Sequence, residues 1–194
     1  MPDSSNTQLI LASASPRRRD LLAQIGLSPA IVAAAIDETP LPRELPGPHV
    51  RRLARAKAER IAAAHPGAVV LAADTAVACG RRLLPKADAE SEARSCLALL
   101  SGRRHRVYGG ICVIAPGGRV AERVVVTAVA FRPLSSPDVE RYIAGGEWRG
   151  KAGGYAIQGS AAAFVRSLNG SYTNVVGLDL YTVVSLLRGV GIGI

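Results

Sequence analysis

Apolar residues along the chain follow two patterns. Short dense runs read as buried strands, and runs recurring roughly every three to four residues read as helices. Leu9-Ile10-Leu11-Ala12 opens as a strand, turns through Ser13-Ala14-Ser15-Pro16 and enters Arg17-Arg18-Arg19. Leu21, Leu22 and Ile25 then recur at helical spacing, and Gly26 supplies a stop. This predicts strand, tight loop and helix, with Ser15 as N-cap and Pro16 at the first helical position. Ala30–Ala35 is a short apolar run that ends abruptly at Asp37-Glu38. A Pro-rich linker from Pro40 to Pro48 precedes a helix over Val50–Ala64, with Lys57 near its apolar stripe. Ala68–Ala73 is the clearest buried strand and is expected to end in Asp74-Thr75, with a second short strand over Ala76–Cys79.

Gly80-Arg81-Arg82 then leads to Leu83-Leu84 and Pro85-Lys86-Ala87. Asp88 can cap a helix running to about Leu100. Arg106–Ala115 and Val120–Arg132 flank Pro116-Gly117-Gly118, a hairpin signal. A short helix over Ser135–Ala144 is broken by Gly145-Gly146, and a glycine-punctuated loop runs from Lys151 to Gly159. Ala162–Leu168 suits a strand, and Val175–Leu187 suits one final helix. No internal repeat and no domain-separating linker is visible, so residues 1–194 are expected to form one domain, with 1–7 as a frayed tail.

Composition narrows the partner. The 194 residues are 48% hydrophobic and carry a net charge of +9, which argues against disorder and favours anionic partners. Two Phe, one Trp and five Tyr are too few for a base-stacking platform. No apolar run is long enough to span a bilayer, and the polar first residues give no secretory signal. A cytoplasmic protein without a membrane or nucleic-acid partner is expected. Cys79, Cys96 and Cys112 are widely spaced, and the three histidines form no ligand pattern, so a transition-metal site is not expected.

The chemistry lies elsewhere. Arginines in the first turn of a helix oppose its dipole, which makes sense if an anion arrives there. A solvated basic helix start is the plain alternative. Asp37-Glu38 could hold a hard cation or be a solvated turn. Asp74, after so apolar a run, lies where catalysis collects in α/β sheets, or caps a strand. Lysines and arginines can hold a polyphosphate, carboxylates can hold a divalent cation and activate water, and Gln158 can donate and accept at a nucleobase edge. No Walker loop and no G-x-G-x-x-G after a strand is present.

Taken in order, Ser13-Ala14-Ser15-Pro16-Arg17-Arg18, Ile36-Asp37-Glu38, Ala56-Lys57-Ala58, Ala73-Asp74-Thr75, Lys86, Ser101-Gly102, Lys151-Ala152-Gly153-Gly154-Tyr155-Ala156-Ile157-Gln158-Gly159 and Gly170–Leu178 resemble the Maf family of nucleotide pyrophosphatases. The resemblance covers nearly everything from Leu9 to Leu187. It implies an α/β fold related to the inosine-triphosphate pyrophosphatases, a mixed sheet with flanking helices and two lobes around a cleft. It also implies hydrolysis of a nucleoside triphosphate to the monophosphate and pyrophosphate with a divalent cation, Mg²⁺ or Mn²⁺. Asp74 falls on the family's proton acceptor. Arg17, Thr75 and Gln158 fall on positions tied to substrate choice, and Glu38, Lys57 and Lys86 on polar positions lining the cleft.

The Lys-Ala-Gly…Ile-Gln-Gly form looks like the branch acting on dTTP and UTP, with modified pyrimidine triphosphates as further candidates. On this reading Asp74, Lys86 and Lys57 are catalytic, and Glu38 and Asp74 hold the metal. Ser13, Arg17, Arg18, Thr75 and Gln158 bind substrate, and Arg19 faces solvent. Two departures from the family pattern stand out: Pro85-Lys86-Ala87 for Gly-Lys-Pro, and Gly177-Leu178-Asp179-Leu180 for Gly-Leu-Pro-Leu. A nucleotide-binding regulator of division or stress with slight catalysis is the alternative function. The sequence leaves a homodimer open.

Overall fold

A computed structural model of the chain describes residues 8–192, so the expected tail at 1–7 lies outside the described residues. Strand β3 (Val69–Cys79) is the axis of a seven-stranded mixed sheet. Strand β1 (Leu9–Leu11) runs parallel beside its first part, with Leu9 opposite Val69 and Leu11 opposite Leu71, and β2 (Ala30–Ile31) is parallel to β1. Strand β4 (Arg82–Leu84) folds back on Val77–Cys79. Between the end of β1 and the start of β4, that edge of β3 carries no neighbouring strand, and the cleft opens there. Along the other edge β6 (Arg104–Ile114) pairs antiparallel from Val70 to Ala78, followed by β7 (Val120–Phe131) and β9 (Val165–Asn169). A separate ribbon joins β5 (Lys86–Ala87) to β8 (Lys151–Ala152).

The alternation of a strand sends successive side chains of β3 to opposite faces. Val70 and Ala72 pack with Ala54, Ala58 and Ile61 of α2 (Pro46–Ala64). On the other face, Val69, Leu71 and Ala73 pack with Leu21 and Leu22 of α1 (Pro16–Gln24) and with Val183, Leu186 and Leu187 of α6 (Leu180–Gly189). A second body of packing gathers around the far end of β3. There Val77 meets Leu97 and Leu100 of α3 (Glu90–Leu100), Tyr142 of α4 (Ser136–Gly145), and Phe131, Trp148, Tyr155 and Phe164. The mixed sheet with flanking helices matches the expected fold class.

Several local expectations change. The two strands read either side of Asp74-Thr75 are one, so Asp74 lies in mid-strand rather than at its end. The Pro-rich linker already contains the first turn of α2, where Pro46 and Pro48 lose no helical hydrogen bond. The N-terminus of α3 is held by Glu92, whose carboxylate accepts from the N–H groups of Asp88 and Ala89, so Asp88 is not its side-chain cap. The expected strand from Ala162 begins as a turn of 3₁₀ helix over Ser160–Phe164. The single final helix is two: α5 (Tyr172–Val176) stops at Gly177, whose φ of 144° favours glycine, and α6 starts afresh. Asp179, where the family pattern has proline, is the N-cap of α6 and accepts from the Thr182 N–H at 3.0 Å.

Candidate active site

A cavity of about 380 Å³ opens at the unpaired edge of β3. All nine residues singled out for chemistry line it: Ser13, Arg17, Arg18, Glu38, Lys57, Asp74, Thr75 and Lys86, with Gln158 from the glycine loop. Asp74 and Lys57 are only 4% and 6% exposed, and Lys57 Nζ donates to Asp74 Oδ1 at 2.7 Å. Lys57 also pairs with Glu38 Oε1 at 2.5 Å, and Lys86 pairs with the other oxygen of Glu38. One ammonium therefore bridges two carboxylates, and the alternative of a snorkelling surface lysine does not hold for Lys57. Burial alone would raise the Glu38 carboxyl, but hydrogen bonds and charge from Lys57 and Lys86 hold it down at about 2.

Parity along β3 explains the layout. Asp74 points to the α2 face and meets Lys57. Thr75 points to the other face, where its hydroxyl donates to the Gly177 carbonyl at 3.3 Å and accepts from Arg18 Nη2 at 3.1 Å. Opposite these two residues on β6 stand Gly110 and Gly109. A Cβ on Gly110 would lie 2.1 Å from the Val50 carbonyl of α2, and one on Gly109 would lie 2.0 Å from Oδ1 of the buried Asn174 in α5. The glycine pair lets a helix close onto each face, α2 with Lys57 and α5 with the Gly177 turn behind it. Sequence reasoning passed over both glycines; glycines inside a strand pattern were the available signal of close backbone approach.

The opening helix is built differently from the expectation. Ser15 has the N-cap backbone position, but its hydroxyl makes no capping bond. Ser13 takes over locally, its Oγ accepting from the Ser15 N–H at 3.2 Å and from Arg18 Nη1 at 3.1 Å. Arg18 also donates from Nε to the Gly177 carbonyl at 2.9 Å, so one buried guanidinium ties α1 to β3 and to the α5–α6 turn. Three of its five N–H donors are engaged by protein oxygens, which leaves two for a ligand. Arg17 is half-buried and burial lowers its pKa. Arg19 is exposed, as expected, and it pairs with Asp20.

The loop carrying Gln158 is anchored from below. Tyr155 and His105 share a 2.8 Å hydrogen bond, and the Ala156 N–H donates to Tyr142 Oη at 3.1 Å. Burial pushes the His105 pKa down to about 4, so the ring is neutral at pH 7. Gln158 itself is exposed to the cavity. Glu38 is carried on a strap without regular structure, which Glu44 fastens to α2. The Glu44 carboxylate accepts from Arg52 Nε and Nη2, both at 2.7 Å, from the Leu41 N–H at 3.0 Å, and shares a 2.8 Å bond with His49.

A family model described as Maf-like protein matches residues 8–190. The chain belongs to the Maf family. Its relatives include a protein of Paramagnetospirillum magneticum, 63% identical over 94% of this chain and 97% of its own length, named dTTP/UTP pyrophosphatase. A Rhodospirillum rubrum protein of the same name is 61% identical over 96% of this chain and 90% of its own. Among solved structures, the Staphylococcus aureus Ham1 protein aligns over 64% of this chain and 72% of its own, at 14% identity and a TM-score of 0.48. Among the described residues, no helix of this Maf chain is long and apolar enough to cross a membrane.

Proposed function

We propose that this chain hydrolyses dTTP and UTP to the monophosphate and pyrophosphate. The carrying observation is the Glu38–Lys57–Asp74 bridge in a cavity whose other charged lining residues are all cations. The names of relatives at 63% and 61% identity over nearly full length support the same substrates. Modified pyrimidine triphosphates are further candidates.

Asp74 takes the proton of a water whose oxygen attacks the α-phosphorus. The new P–O bond forms as the bond from the α-phosphorus to the α–β bridging oxygen breaks, and pyrophosphate leaves with that oxygen. Lys86 and Lys57 neutralise the charge that develops on it. Lys57 also keeps Asp74 oriented between turnovers. Thr75, Arg18 and Ser13 form one hydrogen-bonded wall. Arg17 and Gln158 face the cavity from the helix start and the glycine loop, where they select among nucleotides.

Among the described residues no group of three His, Cys, Asp or Glu side chains gathers to hold a metal. The pair Glu38 and Asp74 nonetheless fits a hard divalent ion such as Mg²⁺ or Mn²⁺, which commonly takes one or two carboxylates and completes its shell with phosphates and water. Such an ion supplies charge neutralisation and a more acidic water. We place the protein in the cytoplasm with no nucleic-acid or membrane partner, and propose a homodimer as compatible with this site.

A panel of dTTP, UTP, CTP and 7-methyl-GTP, assayed for pyrophosphate release with Mg²⁺ or Mn²⁺, tests the reading. Release from dTTP and UTP is expected, lost in Asp74→Asn by about a hundredfold or more with folding retained. Tight nucleotide binding without pyrophosphate release would instead support a regulator.

A further inference from the structure

The wall of the cavity away from Lys57 carries charge that the reaction above does not use. Five cationic side chains line the cavity, Arg17, Arg18, Lys57, Lys86 and Lys151, against two carboxylates, Glu38 and Asp74. Lys57 and Lys86 engage both carboxylates, and Arg18 is held by neutral oxygens of Ser13, Thr75 and Gly177. Arg17 and Lys151 complete the set without a carboxylate of the lining between them. The β5–β8 ribbon produces this division. Lys86 stands opposite Ala152 and Lys151 opposite Ala87, so strand alternation sends the two lysines from opposite faces of the ribbon. Lys86 reaches Glu38, and Lys151 lines the cavity together with Arg17.

Burial and the Arg17 charge both lower the Lys151 pKa, while Glu147 acts in the opposite sense. The Glu147 carboxylate is itself engaged by the Ser160 N–H, at 2.9 and 3.3 Å. Lys151 Nζ donates to the Arg149 carbonyl at 3.0 Å, which occupies one of its three N–H donors and leaves two. Two partly desolvated cations lining one cavity repel each other, and an entering anion offsets that repulsion.

We propose that Lys151 is a further substrate-binding residue, whose two remaining donors hold a substrate phosphate beyond the one attacked at Asp74. The proposal rests on the triphosphate reading above. It makes the glycine loop a phosphate-binding element as well as the carrier of Gln158. An anion held by Lys151 offsets the repulsion between its charge and that of Arg17.

Inorganic tripolyphosphate, titrated calorimetrically into the whole protein, reads this site without any catalysis, and dTMP is the counter-probe. Lys151→Met should weaken tripolyphosphate binding by roughly tenfold or more, since a charged hydrogen-bond donor is lost. It should change dTMP affinity by less than about twofold and leave the thermal midpoint close to wild type, and Lys151→Arg should restore most of the loss. In turnover, the KM for dTTP should rise more than kcat falls, because the contact is made to ground and transition state alike. Unchanged tripolyphosphate affinity in Lys151→Met, equal weakening of both probes, or no tripolyphosphate binding by the wild type each overturns the proposal. Absence of dTTP hydrolysis by the wild type sinks the pyrophosphatase reading instead, and the titration still decides the anion site.

Discussion

Gly110→Ala tests how the Lys57–Asp74 pair, proposed above as catalytic, is placed. Gly110 lies opposite Asp74 in the β3–β6 register, and its added Cβ would meet the Val50 carbonyl oxygen at 2.1 Å and the carbonyl carbon at 2.5 Å. Both atoms are helix backbone, so no side-chain rotation relieves the contact. Non-bonded atoms of this size rest at about 3.5 Å, so the two contacts are short by roughly 1.0–1.4 Å and α2 must retreat by about 1 Å or more. Lys57 is two turns further along the same helix and moves with it. Its 2.7 Å bond to Asp74 would stretch to about 3.7 Å, beyond hydrogen-bond range. Overpacking of this kind costs about 1–3 kcal/mol, a fall of roughly 3–10 °C in thermal midpoint for a chain of this size. A misplacement of that order in a catalytic pair costs about a hundredfold in turnover. The assay is kcat and KM for dTTP below the variant's own midpoint, beside a thermal melt. Gly67→Ala is the control, because a Cβ there meets nothing within 4 Å. Wild-type turnover and melting in Gly110→Ala would refute the idea that the glycine sets the Lys57–Asp74 distance.

Three other outcomes follow from the same geometry. Arg17→Ala should weaken binding or change the order of preference among dTTP, UTP, CTP and 7-methyl-GTP; a panel identical to wild type would remove Arg17 from substrate choice. Hydrogen bonds from Arg52, together with Leu41 and His49, hold the Glu44 carboxyl at about 2, against an ordinary 4.5. A depressed carboxylate pKa contributes stability that is present above about 4.5 and lost as the pH falls towards 2. Melts across that window should decline more shallowly in Glu44→Gln than in wild type, and parallel curves would contradict the role given to the strap. Asp179→Ala should cost about 1 kcal/mol in chemical denaturation, the usual loss for an N-cap, while Asp179→Asn retains most of it; an equal loss in both would show that the cap bond to Thr182 contributes little.

The sequence made the strand, loop and helix of residues 9–25 legible, because the switch from a dense apolar run to helical spacing is abrupt. It did not show that β3 is continuous through Asp74-Thr75. A strand buried on both faces has no hydrophobic period to follow, so two polar residues in its middle look like an end. Lys57 was visible as a lysine on an apolar stripe, but its partners are 17 and 19 residues away in opposite directions and depend on how α2 crosses the sheet. The fastening of the strap at Glu44 was not singled out, since an acid in a Pro-rich stretch carries no periodic signal. Asp179 was seen only as a missing proline. Its capping bond replaces one helix-start device with another, proline's fixed φ with a side-chain acceptor.

One register connects these observations. Asp74 and Thr75 are neighbours that face opposite sides of the sheet, so a single strand serves the Asp74–Lys57 pair and the Arg18 wall with Gly177. Gly110 and Gly109 repeat that alternation on β6, each admitting the helix that supplies its own side. A slip of one residue between β3 and β6 would set the absent side chains against the wrong faces and hold both helices off the sheet. The pairing of two adjacent polar residues with two adjacent glycines is therefore a single structural unit, and its two halves should respond separately. Gly110→Ala should act through Lys57 and Asp74 on turnover. Gly109→Ala should act through Asn174 and the Gly177 turn on the Arg18–Thr75 contact, and so on substrate affinity before turnover; a loss confined to kcat in Gly109→Ala would break that division.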